Sequence, residues 1–258
     1  MSVAGTTDFF YREAQRLGYV ARSAFKLLQI QKQHKLITAG SSVLDLGCAP
    51  GAWLQVACQS LGPQKNGGVV VGIDLKKIKV PSSYCDSRVR TVCADVMNLP
   101  RDQIRALSPK KGYSVILSDM CPPVSGITTK DAALSIELGT RALELAVGGA
   151  ALANNNNQID WQPDDSTSCS DDHGLLHQGG HLVIKLLENE DVQGESQEDK
   201  RRGVTYLSFI VIHLVFSGRF FAKFGSLCKP LFRKASLLRP KATRSSSTEI
   251  YLICQGLQ

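Results

Sequence analysis

Four aspartates, Asp45, Asp74, Asp95 and Asp119, stand at or near the ends of short apolar runs, and their recurrence is the clearest chemical pattern in the chain. The first lies in Val43-Leu44-Asp45-Leu46-Gly47-Cys48-Ala49-Pro50-Gly51-Ala52-Trp53, which reads as a buried strand, a glycine turn and the start of a helix. In an open α/β sheet, ligands bind beyond the carboxyl ends of the strands, where a tight turn brings backbone near the ligand and a helix N-terminus faces it. The turn is Asp-x-Gly-x-x-Pro-Gly, not the Gly-x-Gly-x-x-Gly of dinucleotide binders. A carboxylate with two turn glycines suits a positively charged ligand with amino and ribose groups better than a pyrophosphate, and S-adenosylmethionine is such a ligand. Val69-Val70-Val71-Gly72-Ile73-Asp74 ends in a second acid, at the place where doubly wound folds grip ribose hydroxyls. Thr91–Asp95 and Tyr113–Asp119 repeat the pattern. One aspartate after a strand is ordinarily a cap or a surface group; four in succession point to a site.

A lysine inside an apolar run is the next chemical signal. His181-Leu182-Val183-Ile184-Lys185-Leu186-Leu187 reads as a strand carrying one ammonium. A buried ammonium must pair with an acid or give up its proton, whereas on an edge strand it would snorkel to solvent.

The elements that position these groups are legible from periodicity. Asp8–Lys35 reads as one helix, with Ala24, Phe25, Leu27, Leu28 and Ile30 on its apolar side, and Ala52–Leu61 as a second. Strands fall near 42–46, 69–74, 90–94, 114–119, 181–187 and 249–254, and a helix near 131–147 has Ala132, Ala133, Ile136, Leu138, Leu143 and Leu145 toward the core. The expected fold is α/β and Rossmann-like, with a seven-stranded, mostly parallel sheet flanked by helices and room for an antiparallel strand late in the chain.

The chain has 258 residues, 43% hydrophobic and 21% charged, which suits one globular domain over 1–258. None of the eight cysteines forms a Cys-x-x-Cys pair, and several sit in apolar runs, so they read as reduced core residues. No apolar stretch reads as a secretory signal or a membrane span, so a soluble intracellular protein is expected. The net charge of +7 is concentrated at the ends: residues 1–40 hold six Lys/Arg against two acids, and 220–258 hold seven against one. Basic ends on one side of an acidic cofactor cleft would attract a phosphate backbone. Arg12, Arg16, Arg22, Lys26 and Lys32, interleaved with Phe9, Phe10, Tyr11 and Tyr19, make the N-terminal segment the better place for RNA, since aromatic faces also stack on bases. A basic surface with no partner is the plainer alternative.

Two stretches stand apart. Asn154–Asp172, rich in asparagine, serine and acids, reads as the body of a disordered loop over 152–177. Gly194–Arg219 joins a charged run to apolar Val204–Phe216, which is too short to span a membrane. Cys169, His173, His177 and His181 recur every four residues, but Gly174, Gly179 and Gly180 argue against the helix that would align them on zinc, and no metal site is expected.

Asp-Leu-Gly-Cys-Ala-Pro-Gly-Ala-Trp, Tyr-x-Ala-Arg-Ser-Ala-Phe-Lys-Leu, Leu-Ser-Asp-Met, His-Leu-Val-Ile-Lys and Ser-Thr-Glu-Ile-Tyr together resemble the FtsJ/RrmJ family of RNA 2′-O-ribose methyltransferases, over about 10–150, 178–192 and 226–256. The resemblance implies a Lys, Asp, Lys, Glu series at Lys26, Asp119, Lys185 and Glu249, with Lys185 as the base that takes the 2′-hydroxyl proton. It implies that S-adenosylmethionine is held by Gly51, Trp53, Asp74, Asp95 and Asp119, and that no metal is needed. For Lys185 to act as base its pKa must fall, through the positive charges of Lys26 and the sulfonium. The Ser118-Asp119-Met120 context is similar to the bacterial and mitochondrial branch that modifies a uridine of large-subunit ribosomal RNA, which implies ribosomal RNA or the large subunit as partner, a monomer, and a mitochondrial or other organellar location if not the cytoplasm. Cys121-Pro122-Pro123 departs from that branch's Ala-Pro-Asn. Gly194–Arg219 also departs from the family pattern. Its flanks would join into a normal family segment without it, so it reads as an isoform insert or retained non-coding sequence. The competing readings are an idle RNA-binding or ribosome-assembly factor, a methyltransferase acting on transfer RNA, and, against the turn chemistry, a nicotinamide-dependent oxidoreductase.

Overall fold

The computed structural model describes residues 9–154, 173–188 and 220–258. Three strands, β1 (Ser42–Leu46), β2 (Val69–Asp74) and β4 (Tyr113–Ser118), are buried almost throughout, as parallel strands covered on both faces must be. With β3 (Val89–Cys93), β5 (Leu176–Leu187), β6 (Phe232–Leu238) and β7 (Glu249–Leu257) they form a seven-stranded sheet in the order β3-β2-β1-β4-β5-β7-β6. The chain runs outward from β1 through β2 to β3, then crosses back to lay β4 on the other side of β1. That reversal opens a crevice at the carboxyl ends of β1 and β4. β7 is inserted antiparallel between β5 and β6, and the other pairings are parallel.

Helices cover both faces. On one, α2 (Ala24–His34) and α3 (Ala52–Ser60) bury Leu27, Ile30, Trp53 and Leu54 against Val43, Val70, Val115, Val183, Tyr251 and Ile253. On the other, α5 (Thr128–Val147) sets Ile136, Leu143 and Leu145 against Leu44, Ile116, Leu182 and Ile184. Alternation along β5 therefore sends Val183 to the α2/α3 face and Leu182 and Ile184 to the α5 face. Lys185 shares the face of Val183.

The structure corrects several sequence expectations. The single helix over Asp8–Lys35 is two, α1 (Phe9–Arg16) and α2, separated by a turn in which Gly18 adopts φ +78°. Tyr19 is buried in this turn, its hydroxyl donating to Gln59 Oε1 at 2.8 Å. β3 closes at Cys93, so Asp95 lies in the loop that follows rather than at a strand end. Asp45 is the penultimate residue of β1, not its end. β5 starts at Leu176 and shifts register before His181, and β6 had no counterpart in the sequence reading. Short helices α4 (Arg101–Ala106) and α6 (Gly149–Asn154) also form, as does α7 (Phe220–Cys228) before β6.

Of the loop expected over 152–177, α6 reaches Asn154 and β5 takes up residues from Leu176 onward, while 155–172 lie outside the described residues. The insert at 194–219 lies outside them as well, as does Cys169. His177 and His181 are on a strand, where His181 Nδ1 accepts the Gly256 N–H at 3.1 Å. Among the described residues no cluster of acids, histidines and cysteines is arranged to hold a metal ion, and no helix is long and apolar enough to cross a membrane.

Candidate active site

Sheet register lines up the charged groups. Leu46 pairs with Ile73 and with Ser118, so Asp74 and Asp119 both fall one residue beyond the end of β1, on either side of Gly47. Ile184 pairs with Ser118, which places Lys185 level with Asp119. Across the antiparallel pair, Lys185 faces Tyr251 and Leu187 faces Glu249. Lys185, Tyr251 and Glu249 thus share one face at neighbouring positions. α2, packed over that face, adds Lys26.

The four groups of the series meet there. Lys26 Nζ donates to Glu249 Oε2. Lys185 Nζ donates to the Asp119 carbonyl oxygen at 2.6 Å and lies 3.1 Å from Asp119 Oδ1 and 4.0 Å from Glu249 Oε1. Lys185 is 6% exposed and Lys26 9%. Burial, the largest single influence, works to strip the Lys185 proton, but the negative field of Asp119, with Cys121 and Glu249 adding to it, prevails and holds the ammonium above the usual lysine range. The expected fall in the Lys185 pKa depends on the sulfonium charge as well as on Lys26; among the protein's own groups the acids prevail. Lys26, expected to repel that proton, is ion-paired with Glu249.

Tyr251 is a member that the sequence reading did not single out. Its hydroxyl donates to Asp119 Oδ1 at 2.8 Å, its ring packs 5.8 Å from the Trp53 ring, and Lys26 Nζ lies 5.9 Å from its centroid. Burial foremost, then Asp119 and Glu249, hold the phenol well above its ordinary pKa, so it is a neutral donor. The two-residue step from Glu249 to Tyr251 in a strand was the available signal, since it puts both side chains on one face.

The glycine turn forms the adjoining wall. Gly47 and Gly51 adopt φ +77° and +108°, and a Cβ would meet the Met120 backbone at 2.9 Å in the first and the Pro81 ring at 2.8 Å in the second. Gly51 caps the N-terminus of α3. Asp45, wholly buried, has no hydrogen-bond partner for either carboxylate oxygen. Burial first, then Asp119 and Asp74, push its pKa well above the ordinary value. An acid so placed lacks a cationic or donor partner.

Asp74 accepts the Ala49 N–H at 2.9 Å and the Lys76 N–H at 2.8 Å, tying the turn to the loop after β2. Asp95 accepts from the Met97 N–H at 2.9 Å and Asn98 Nδ2 at 2.6 Å. Trp53, in the first turn of α3, is 2% exposed and its indole donates to the Ser23 carbonyl at 2.9 Å, so its polar handle is taken.

The basic ends of the chain converge beside this site. Arg22 donates to the Ala242 carbonyl at 2.5 Å, and Gln29 Oε1 accepts the Lys241 N–H at 2.7 Å, which brings the loop between β6 and β7 onto α2. Phe10 lies under the Arg22 guanidinium at 5.6 Å and packs on Phe25, next to Lys26.

The model of FtsJ-like methyltransferases matches residues 19–257, a span that holds every group of this site. The chain belongs to the FtsJ-like methyltransferase family. It is 30% identical over 249 residues to the ribosomal RNA large subunit methyltransferase E of Desulfosudis oleivorans, covering 96% of this chain and 89% of that protein. It is also 30% identical to the enzyme of that name from Syntrophobacter fumaroxidans, covering 97% and 96%. A shorter match, 43% over 139 residues, to the enzyme of that name from Methanosarcina acetivorans covers 54% of this chain and 48% of that protein. A crystal structure from Plasmodium falciparum, described as a ribosomal RNA methyltransferase, shares the fold at a TM-score of 0.58 and 19% identity, over 93% of this chain and 98% of that one. As a member of the FtsJ-like family, the chain has its buried lysines and acids next to a glycine turn, with the unpartnered Asp45 carboxyl in β1 just before it.

Proposed function

We propose that this FtsJ-like chain transfers a methyl group from S-adenosylmethionine to the 2′-oxygen of a ribose in ribosomal RNA, a uridine of the large subunit being the specific target. The observation that carries this reading is the constellation of Lys185, Asp119, Glu249 and Lys26 beside the Gly47–Gly51 turn. The names of the relatives support the RNA class.

The residues suit the cofactor. Asp45 lacks the cationic partner that an amino group would provide, and Gly47 and Gly51 let the turn pack closely against Met120 and Pro81 with its backbone exposed to a ligand. Asp74 and Asp95, each with lone pairs beyond those used locally, would accept from ribose and adenine in this reading. The helix N-terminus at Gly51 and Trp53 contributes backbone donors. When bound, S-adenosylmethionine supplies an electrophilic methyl on a positively charged sulfur.

A ribose hydroxyl is a weak nucleophile, so its proton must leave as the oxygen attacks. Lys185 Nζ is the acceptor in this reading. It can act once it has lost its own proton, and a positive charge next to Asp119 offsets the field that holds that proton. Asp119 and Glu249 orient the amine, Tyr251 fixes Asp119, and Lys26 keeps Glu249 in place. Arg12, Arg16, Arg22 and Lys32 would meet the phosphate backbone. We take the chain as one domain over 1–258, acting as a monomer. The reading is tested by incubating the chain with labelled S-adenosylmethionine and large-subunit ribosomal RNA, then mapping alkali-resistant linkages; label on a base rather than a ribose would refute it.

A further inference from the structure

The loop after Asp119 presents apolar side chains to solvent next to the charged centre. Val124 is 70% exposed and Ile127 59%, while Pro122 is buried and roots the near end. Cys121, the first residue of the loop, feels the charges of Lys185, Glu249, Asp119 and Lys26. The far end is pinned by Asp131, in the first turn of α5 and itself 6% exposed. One Asp131 oxygen accepts the Ser125 N–H at 2.9 Å and the Ser125 hydroxyl at 2.7 Å, and the other accepts the Gly126 N–H at 3.1 Å. Ser125 Oγ in turn accepts the Ile127 N–H at 3.3 Å.

Single exposed hydrophobic residues are ordinary on protein surfaces. These two differ in being held on a loop fixed at both ends and rooted at the reacting groups. Val124 is five residues from Asp119, at most about 17 Å of extended chain, so a nucleotide whose ribose reaches Lys185 has its neighbours within range of the loop. Its charge suits a polyanion: residues 120–130 contain no acid and end in exposed Lys130, and the Asp131 carboxylate is turned inward onto Ser125 and Gly126. Apolar side chains that contact nucleic acid act by packing against or between bases, which requires bases that are unstacked or easily unstacked.

We propose that the loop Cys121–Ile127, braced by Asp131, is an apolar contact surface for unpaired bases of the RNA substrate, with Val124 and Ile127 packing against the bases flanking the target ribose. This rests on the reading of the chain as an RNA methyltransferase and adds to it a preference for looped over duplex RNA. Such a contact is independent of salt, unlike the phosphate contacts of the basic N-terminal segment.

The test compares the parent with a Val124→Ser, Ile127→Ser double variant, which changes exposed groups and leaves the core intact. Binding is measured across a salt series to an RNA hairpin with an unpaired loop and to duplex RNA of equal length. The variant should bind the hairpin about tenfold more weakly at every salt concentration, the equivalent of ~1.4 kcal/mol, with an unchanged salt slope and unchanged duplex affinity. A separate Val124→Trp variant should change its indole emission on adding the hairpin and not on adding the duplex. Unchanged hairpin affinity, an equal loss on both RNAs, or indole emission insensitive to the hairpin would overturn the loop assignment while leaving the methyltransferase reading standing. A parent chain that binds neither RNA would overturn that reading, and the loop assignment with it.

Discussion

Replacing Asp45 by Asn should make the ligand-free protein more stable and the cofactor complex weaker. The carboxyl is wholly buried, neither oxygen has a donor, and burial with Asp119 and Asp74 raises its pKa. Because the folded-state pKa lies above the unfolded one, the folded state holds this proton more tightly, and its stability falls as pH rises from the unfolded carboxylate value toward the folded one. The amide removes that dependence. Its advantage should therefore be absent near pH 4, grow through the acidic range and level off above the folded pKa. The amide is as unpartnered as the acid, so its gain is the pH-linked part alone, about 1.4 kcal/mol for each unit by which the folded pKa exceeds the unfolded one, and at ~2–4 °C per kcal/mol for a chain of this size the melting temperature at pH 7.5 should rise by a few degrees. In the complex the order reverses. Losing a charged partner for an amino group costs about 1.5–3 kcal/mol, or roughly ten- to a hundredfold in Kd. Thermal unfolding from pH 4 to 8 and calorimetric titration with S-adenosylmethionine measure the two halves. A variant that melts lower at pH 7.5, or that binds the cofactor as tightly as the parent, would refute the placement of Asp45 as an acid awaiting a cation.

Asp74→Ala and Asp95→Ala should each weaken S-adenosylmethionine binding by about 1–3 kcal/mol in the same titration, and unchanged affinity in both would exclude the pocket drawn here. Neutralising Arg12, Arg16 and Arg22 together should reduce the slope of log RNA affinity against log salt by about 2–3 if all three meet phosphates, with cofactor affinity unchanged; an unaltered slope would exclude that face. The single-turnover rate should rise with pH through the neutral and alkaline range, because burial, the largest single influence, is outweighed by Asp119, Cys121 and Glu249 together, which hold Lys185 protonated. A rate independent of pH there would count against an ammonium that must first lose its proton.

What could be read from sequence follows from how each element is buried. β1, β2 and β4 are covered on both faces and so appear as unbroken apolar runs. β6, Phe232–Leu238, is an edge strand with Arg233, Lys234 and Ser236 in it, and nothing in its pattern separates it from a loop. The start of β5 was hidden by Gly179 and Gly180, which read as a break. α1 and α2 merged because the apolar spacing continues through Leu17, Tyr19 and Val20, although Gly18 marks the turn. At the site, the four aspartates and Lys185 were visible as charges in or after apolar runs, whereas Lys26 and Glu249 came from the family resemblance. The hydrogen bond from Tyr251 to Asp119 and the ion pair between Lys26 and Glu249 join residues more than 130 positions apart, and only the sheet order reveals them. The balance of charges around Lys185 was hidden for the same reason, since it depends on which groups the fold brings nearest.

The most direct measurement is single-turnover methyl transfer to ribosomal RNA by Lys185→Ala, Lys185→Met and Lys185→Arg, each alongside the parent and alongside matched chains lacking 194–219. Loss of a positioned base should slow transfer by about 10²–10⁴-fold in all three, with S-adenosylmethionine affinity nearly unchanged. Arginine should not rescue, because its guanidinium keeps the charge and cannot give up its proton. Near-parental transfer by Lys185→Arg would contradict this role, for Lys185 would then act through charge alone and the 2′-hydroxyl proton would leave by another route.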